Sequence, residues 1–394
     1  MIMNANLKVY LKKGKERAIL QRHQWIFSGA IDLVDEAITG GDVVTICDHS
    51  GKILGAGYFN SASQITIRVL SFGDTPFSRD LLKELLERAV ARRKTDPLLA
   101  GTSAFRLVHS EGDNLPGLIV DSYDGHLVVQ CLTLGIDRLR DDIINILKEI
   151  LKPRSIYERS DHAGRTLEKI EKRSGQVDGS TPDGILISEN GMIFAADVKH
   201  GQKTGLFLDQ REHRELARRL AEGRIVLNLF SYTGGFTVAA MLGGARQVVS
   251  VDSSDGALIA LKKNLGLNGI SGNATTVCAD VFDYLRGAPG DADFIILDPP
   301  AFAKNRASIQ KALRGYKDIN LQAMKRCPAG SHLLTFSCSR FISMDDFQRT
   351  VFSAALDAGR DVSILRKSHH SSDHPVSVYT PETEYLKGLL LRVE

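Results

Sequence analysis

The stretch Ile225-Val226-Leu227-Asn228-Leu229-Phe230-Ser231-Tyr232-Thr233-Gly234-Gly235-Phe236 decides the fold. Its apolar first half, Ile225 to Leu229, predicts a buried strand, and the paired glycines let the backbone pass close to a neighbour and turn into a helix. The pattern then repeats. Strands are expected at Gln247 to Asp252, Ala274 to Asp280, Asp293 to Asp298 and His332 to Cys338, with helical stretches between them. Two more strands follow at Asp361 to Ser368 and Glu384 to Val393. Alternation of this kind predicts an α/β fold with a parallel sheet covered on both faces. Such sheets bind ligands beyond the C-terminal ends of their strands, at the point where the strand order reverses.

Those strand ends carry the informative polar residues. The turn Phe230 to Phe236 is not a dinucleotide fingerprint, and a glycine pair alone is equally compatible with a turn that binds nothing. The second strand ends in Val251-Asp252-Ser253, where a carboxylate can accept both hydroxyls of a ribose. The third ends in Ala279-Asp280-Val281-Phe282, where a carboxylate can take the exocyclic amine of adenine. A single acid at a strand end is usually a helix N-cap. A glycine turn followed by two such acids suits an adenosine ligand, and NAD fits this half of the pattern equally well. The fourth strand ends in Asp298-Pro299-Pro300-Ala301-Phe302. The prolines fix the backbone and donate no hydrogen bonds, so carbonyls and the carboxylate can face a flat, amine-bearing base, with Phe302 available to stack.

The fifth strand ends in Phe336-Ser337-Cys338-Ser339-Arg340. Cys47, Cys131, Cys278 and Cys327 are expected to be buried and inert, as most single cysteines are. Cys338 should instead emerge beside Asp298, with Arg340 near enough to favour thiolate. Carbon 5 of cytosine is a poor nucleophile. A thiolate adding to carbon 6 makes carbon 5 enamine-like, able to attack a methyl sulfonium. Asp298 would assist by hydrogen bonding to ring nitrogen 3 and the amine. Methylation of an exocyclic amine or of guanine N7 needs no thiolate and is the competing chemistry. A non-enzymatic RNA-binding module and, more distantly, a dehydrogenase each fit part of the pattern. Upstream, Gln210 and Arg211 open a helix whose N-terminus could hold a carboxylate. His369, His370 and His374 have no acid or thiol to complete a ligand set, so no metal is expected.

The 394-residue chain is long enough for two or three domains. Residues 1–74 read as short strands broken by glycine turns, a small β-barrel; residues 75–185 as a small α+β domain; residues 186–394 as the α/β domain. Within the second, a helix is expected at Asp80 to Thr95 and a connection or hairpin at Ser174 to Gly184. Net charge is only +3. Basic residues nevertheless cluster at Lys8, Lys12, Lys13, Lys15, Arg17 and Arg22, and again at Arg92-Arg93-Lys94, where they could touch phosphates or simply form a solvated face. No apolar run suits a membrane span, no signal peptide is evident, and the dispersed cysteines suit the cytoplasm.

Several motifs taken together resemble one family, the bacterial and archaeal large-subunit ribosomal RNA cytosine-C5 methyltransferases. They are G-Q-K-T-G-x-F-x-D-Q-R at 201–211, N-x-F-x-Y-T-G-G-F at 228–236, D-P-P-x-F at 298–302, F-S-C-S at 336–339, D-H-P at 373–375 and P-E-x-x-Y-L-K at 381–387. H-x-W-I-F-S-G-A at 23–30 is similar to the opening of that family's PUA domain, and G-D-x-L-P-G-L-I-V-D at 112–121 to its central domain. The resemblance implies a Rossmann-like class I methyltransferase domain preceded by a PUA-like β-barrel and a small α+β domain. It implies S-adenosylmethionine as cofactor, ribosomal RNA of the large subunit as partner, and leaves a homodimer open. The expected cofactor contacts are Gln210, Arg211, Phe230, Ser231, Tyr232, Thr233, Gly234, Gly235, Phe236, Asp252, Ser253, Asp280, Val281, Phe282, Asp298 and Pro299. Cys338 would be the nucleophile and Asp298 the base-orienting acid, with Pro300, Phe302 and Arg340 against the substrate. Two departures stand out. Ala301 follows the prolines where other RNA cytosine methyltransferases commonly carry a second cysteine, and Asn228 replaces the usual acid on the first strand.

Overall fold

The computed structural model describes residues 7–287, 290–303 and 305–394, which form two compact units. The first holds the described residues up to Ile187 together with Ala196–Leu208 and Ser372–Thr383. The second holds Ser188–Ala195, Asp209–Ser371 and Glu384–Glu394. No helix among the described residues is long and apolar enough to cross a membrane.

The first unit contains two sheets. Six short strands pair in the order Trp25–Phe27, Ile65–Phe72, Ile53–Phe59, Val43–Cys47, Lys8–Leu11 and Ile31–Val34. Val9, Leu11, Val44, Ile46, Ile67 and Val69 fill its core, the inward positions of alternating strands. The other sheet runs Arg173–Gly179, Ser155–Ser160, His126–Cys131, Leu118–Tyr123 and Ala104–His109, covered by helices Arg79–Lys94 and Arg140–Leu151. Leu82, Leu85, Leu86 and Ala89 recur at helical spacing and lie buried against it. Buried polar pairs link the six-stranded sheet to turns that follow strands of the other: Arg68 to Glu168 at 2.9 Å, and Trp25 Nε1 to Glu111 Oε1 at 2.8 Å.

Two features of this unit depart from the sequence expectation. The first part of Ser174 to Gly184 is not a connection; it belongs to the edge strand Arg173–Gly179, antiparallel to Ser155–Ser160. An edge position tolerates Gly175 and Gly179 because backbone pairing, not a buried apolar face, holds the strand. The run Arg92-Arg93-Lys94 is a solvated face only in part: Arg92 and Lys94 are exposed, but Arg93 is not. Arg93 is buried and clasps Asp113 through both terminal nitrogens, at 2.6 and 2.7 Å, and Arg92 reaches the same carboxylate at 2.7 Å. The D-H-P segment closes this cluster: Asp373 accepts from Arg106 N at 2.8 Å through its carboxylate and from Arg93 at 2.8 Å through its carbonyl.

The second unit is a seven-stranded sheet. Its strands are β1 (Ile225–Leu229), β2 (Gln247–Asp252), β3 (Ala274–Cys278), β4 (Phe294–Leu297), β5 (Ser331–Ser337), β6 (Val362–Ser368) and β7 (Lys387–Val393). They lie in the order β3-β2-β1-β4-β5-β7-β6, all parallel except β7. Its helices are α1 (Arg211–Leu220), α2 (Gly235–Leu242), α3 (Asp255–Leu267), α4 (Val281–Gly287), α5 (Ile309–Arg326) and α6 (Met344–Ala358). Every residue of β4 and β5 is buried, as expected for central strands with helices on both faces. The order reverses between β1 and β4, so the switch point lies where the sequence motifs end.

Candidate active site

The loop leaving β1 is held in an unusual backbone path. Phe230, Tyr232 and Gly234 all have positive φ, at 60°, 45° and 82°. For the two non-glycine residues this costs on the order of 1 kcal/mol each, tolerated only where surrounding contacts fix the path. Here they do: Ser231 N donates to Val251 O at 3.0 Å, Tyr232 N to Asp252 Oδ2 at 2.8 Å, and Gly234 N to Ser231 O at 2.9 Å. Gly234 must be glycine twice over, because a Cβ there would lie 2.4 Å from Leu261 Cγ. Phe236 is buried in α2, while Thr233 and Gly235 are half-buried.

Asp252 uses its second oxygen to accept from Ser254 N at 2.9 Å and stays half-buried, with Ser253 exposed beside it. Asp280 is exposed and caps α4, accepting from Phe282 N at 2.8 Å and Asp283 N at 3.2 Å. Val281 is buried behind it. Asn228 does not reach the strand end. It is fully buried and donates to Thr237 Oγ1 at 2.9 Å, which pairs with Ser250 at 2.7 Å. The departure from an acid at this position is thus accommodated inside the sheet–helix interface.

At the ends of β4 and β5 the geometry is built by side chains from distant parts of the sequence. Asp298 is half-buried, Pro299 buried and Pro300 exposed. Gln210, buried at the start of α1, donates from Nε2 to Asp298 Oδ1 at 2.9 Å, and its Oε1 pairs with His213 Nδ1 at 2.6 Å. His213 Nε2 in turn meets Ser368 Oγ at 2.8 Å. Burial drives the His213 pKa down to about 3, so the imidazole is neutral. With Nδ1–H given to Gln210, Nε2 is left to accept from Ser368. The result is a relay that fixes the carboxamide and, through it, Asp298. Arg211 is buried at the same helix start.

Cys338 is half-buried, and its Sγ lies 3.5 Å from Pro299 O, beside Asp298 as the strand order requires. Ser339 is buried between them: its Oγ accepts from Ala303 N at 3.2 Å and pairs with Tyr316 OH at 3.0 Å. Phe302 is half-buried, with its ring tilted against Phe282 at 5.9 Å and Tyr316 at 4.6 Å. Arg340 is exposed. The buried cation next to Cys338 is one that sequence reasoning misses, Lys387 at the start of β7. Its Nζ donates to Ser339 O and Tyr385 O, both at 2.7 Å. The signal is present as the last residue of P-E-x-x-Y-L-K, but a lysine at a strand start reads as an ordinary surface residue until the strand is seen to be central.

The remaining candidates are dispersed. His369 contacts Glu384, His370 Nε2 accepts from Tyr385 N at 3.2 Å, and His374 pairs with Asp373 at 2.9 Å. Among the described residues no three His, Cys, Asp or Glu side chains come together as metal ligands. Cys47, Cys131 and Cys327 are buried, and burial pushes the Cys131 thiol up to about 12. Cys278 departs from expectation: it is exposed, because β3 is an edge strand of the sheet.

Comparison with known proteins adds the family. Residues 166–340 match the model of an S-adenosylmethionine-dependent methyltransferase, and residues 9–72 that of a PUA-like domain. The chain is 44% identical to the ribosomal RNA large subunit methyltransferase I of Tolumonas auensis, over 98% of each chain. It is 41% identical to the protein of that name from Escherichia coli K12, over 98% of this chain and 100% of that one. In structure it is similar to a candidate methyltransferase solved with SAH, with a TM-score of 0.85 at 24% identity, covering 98% of this chain and all of the other. The residues present fit the cofactor: the strained glycine turn leaves the Ser231 hydroxyl buried with no hydrogen-bond partner among the described residues, beside the half-buried carboxylate of Asp252. The chain therefore belongs to the ribosomal RNA large subunit methyltransferase I family, a PUA-like domain joined to a methyltransferase fold that uses S-adenosylmethionine.

Proposed function

We propose that the chain methylates carbon 5 of a cytosine in large-subunit ribosomal RNA, through a covalent adduct between Cys338 and carbon 6. The observation that carries this is the juxtaposition of Cys338 with Asp298-Pro299-Pro300 at adjacent strand ends, at the switch point of the sheet. S-adenosylmethionine supplies an electrophilic methyl group. Gln210, Arg211, the loop from Phe230 to Phe236, Asp252, Ser253, and Asp280 to Phe282 would hold it, with Asp298 and Pro299 at its reactive end.

The chain's own residues then do the following. The Cys338 thiolate forms a carbon–sulfur bond at carbon 6, and the electrons move onto ring nitrogen 3 and the enamine carbon 5. Asp298, held by Gln210, would face nitrogen 3 and the amine, and its carboxyl proton passes to nitrogen 3 as the adduct forms, leaving the carboxylate to accept from the amine. Carbon 5 takes the methyl group. Transfer of its proton to a general base, with solvent water as the acceptor within reach of an open site, then returns the electron pair that expels the thiolate. Pro300, Phe302 and Arg340 line the approach of the base. The names of the relatives support large-subunit ribosomal RNA as the substrate, and the PUA-like domain supports an RNA partner. A cytoplasmic enzyme fits these assignments.

Cys338→Ala is expected to abolish carbon 5 methylation of ribosomal RNA from cells lacking the gene, read by nucleoside mass spectrometry. Full activity in that variant would overturn the nucleophile assignment and favour direct attack by a base nitrogen, which needs no thiolate.

A further inference from the structure

We propose that Lys387 is the counter-ion that holds Cys338 as a thiolate, a positioning residue for the nucleophile; this rests on the reading of Cys338 as the attacking group. Lys387 faces Ser337 across the β5–β7 pair, one residue before the cysteine. It is 2% exposed. A buried ammonium is normally paired with a carboxylate or loses its proton. Among the described residues its hydrogen bonds go instead to neutral carbonyls, of Ser339 and Tyr385. Those bonds use two of the three ammonium hydrogens and bring the charge to the backbone on the C-terminal side of Cys338.

Of the groups around the pair, Cys338 and Glu384 are the negative charges that act on Lys387, and Cys338 acts more strongly. From α5, Tyr316 is held neutral, its pKa pushed up to about 12 by burial and by the neighbouring Cys338. From α1, His213 is neutral and packs edge-on against Phe336 at 4.7 Å. From the end of β4, Asp298 is engaged by Gln210. From the segment before β7, Glu384 is engaged with His369. Burial lowers the Lys387 pKa to about 8, while the charges of Cys338 and Glu384 pull it back up. The ammonium form therefore prevails at neutral pH, and a thiolate at Cys338 would strengthen it. Arg340, the cation that the sequence suggests for this task, is exposed, where solvent weakens its charge.

The test is the titration of Cys338 in the full-length protein. Its alkylation rate by iodoacetamide is followed against pH and resolved by peptide mass spectrometry, since Cys278 is also exposed. The wild-type midpoint is expected below the ordinary value of about 8.5. Lys387→Met should raise it by at least about one unit, so that alkylation at pH 7 slows roughly ten-fold, and Lys387→Arg should keep it low. Equal midpoints in wild type and Lys387→Met would overturn the proposal. If Lys387→Met does not fold, the ultraviolet thiolate absorbance of wild type minus Cys338→Ala decides: a midpoint at or above about 8.5 overturns the proposal, a lower one supports it. Failure of the nucleophile assignment would appear separately, as full methylation by Cys338→Ala.

Discussion

The two halves of the site are built by different means. At the ends of β1, β2 and β3 the geometry is a backbone achievement: three left-handed residues in one loop, pinned by amide hydrogen bonds to the next strand. At the ends of β4 and β5 it is a side-chain achievement, in which Asp298 is held by Gln210, and Ser339, the residue after Cys338, by Lys387 at its carbonyl and Tyr316 at its hydroxyl, all remote in sequence. A site made of backbone binds a common cofactor with few committed side chains. A site made of interlocked side chains places reactive atoms. Variants on the two sides should therefore fail differently, those on the cofactor side in affinity and those on the base side in turnover.

The sharpest separation is expected from Cys338→Ala, with turnover lost and the affinity for S-adenosylmethionine, by calorimetry, unchanged. Asp298→Asn should follow, lowering kcat by roughly 10²- to 10⁴-fold, the range for losing a positioned acid–base group. Gln210→Ala leaves Asp298 and His213 without their shared partner. A misplaced reacting group can cost about a hundred-fold, so kcat should fall by up to that factor while the fold is kept. A loss in cofactor affinity with kcat at saturation intact would mean that Gln210 serves the cofactor and does not position Asp298. The smallest effect is expected from Ser231→Ala. Removing one hydrogen-bonding hydroxyl should weaken cofactor binding by about 1 kcal/mol, roughly five-fold, with kcat at saturation unchanged.

The relay also predicts a pH dependence of stability. His213 has a folded pKa of about 3 against an ordinary 6.5. Above pH 6.5 neither the folded nor the unfolded chain protonates it, and its contribution is fully present. Below 6.5 the unfolded chain takes up the proton first, so stability falls progressively toward pH 3. Urea unfolding between these limits should show that slope, and His213→Gln should flatten it. An unchanged slope in the variant would remove His213 as the cause.

The backbone half is legible in the sequence, and the side-chain half only in outline. Gly234 and Gly235 after an apolar run identify a glycine turn, because only certain residues permit that backbone, and the acids at two further strand ends are where the sequence puts them. The strands are legible for the same reason: β1 and β2 fall at their expected limits, and β3, β4 and β5 within two residues of them. The partners of Asp298 and Cys338 are not legible. The sequence suggests Gln210 as a cofactor contact and gives no sign that its carboxamide also donates to Asp298, far along the chain. Lys387 stands at the end of the P-E-x-x-Y-L-K motif, but nothing local marks it as buried, because its burial depends on β7 entering between β5 and the edge strand β6. Arg93 and Cys278 mislead in opposite directions. A basic run conceals a buried clasp on Asp113, and an apolar-looking cysteine lies on an edge. Local pattern reports periodicity and turns; it does not report which strand is central.

The central claim is that Cys338 attacks carbon 6 of a cytosine in large-subunit ribosomal RNA, and substrate carrying 5-fluorocytidine tests it most directly. Fluorine at carbon 5 cannot leave as a proton does, so after methyl transfer the adduct should persist. Incubation with S-adenosylmethionine followed by digestion and mass spectrometry should yield a nucleotide cross-linked to the peptide containing Cys338, with the methyl group on carbon 5. No cross-link in wild type, with the methyl group recovered on a base nitrogen, would contradict the account.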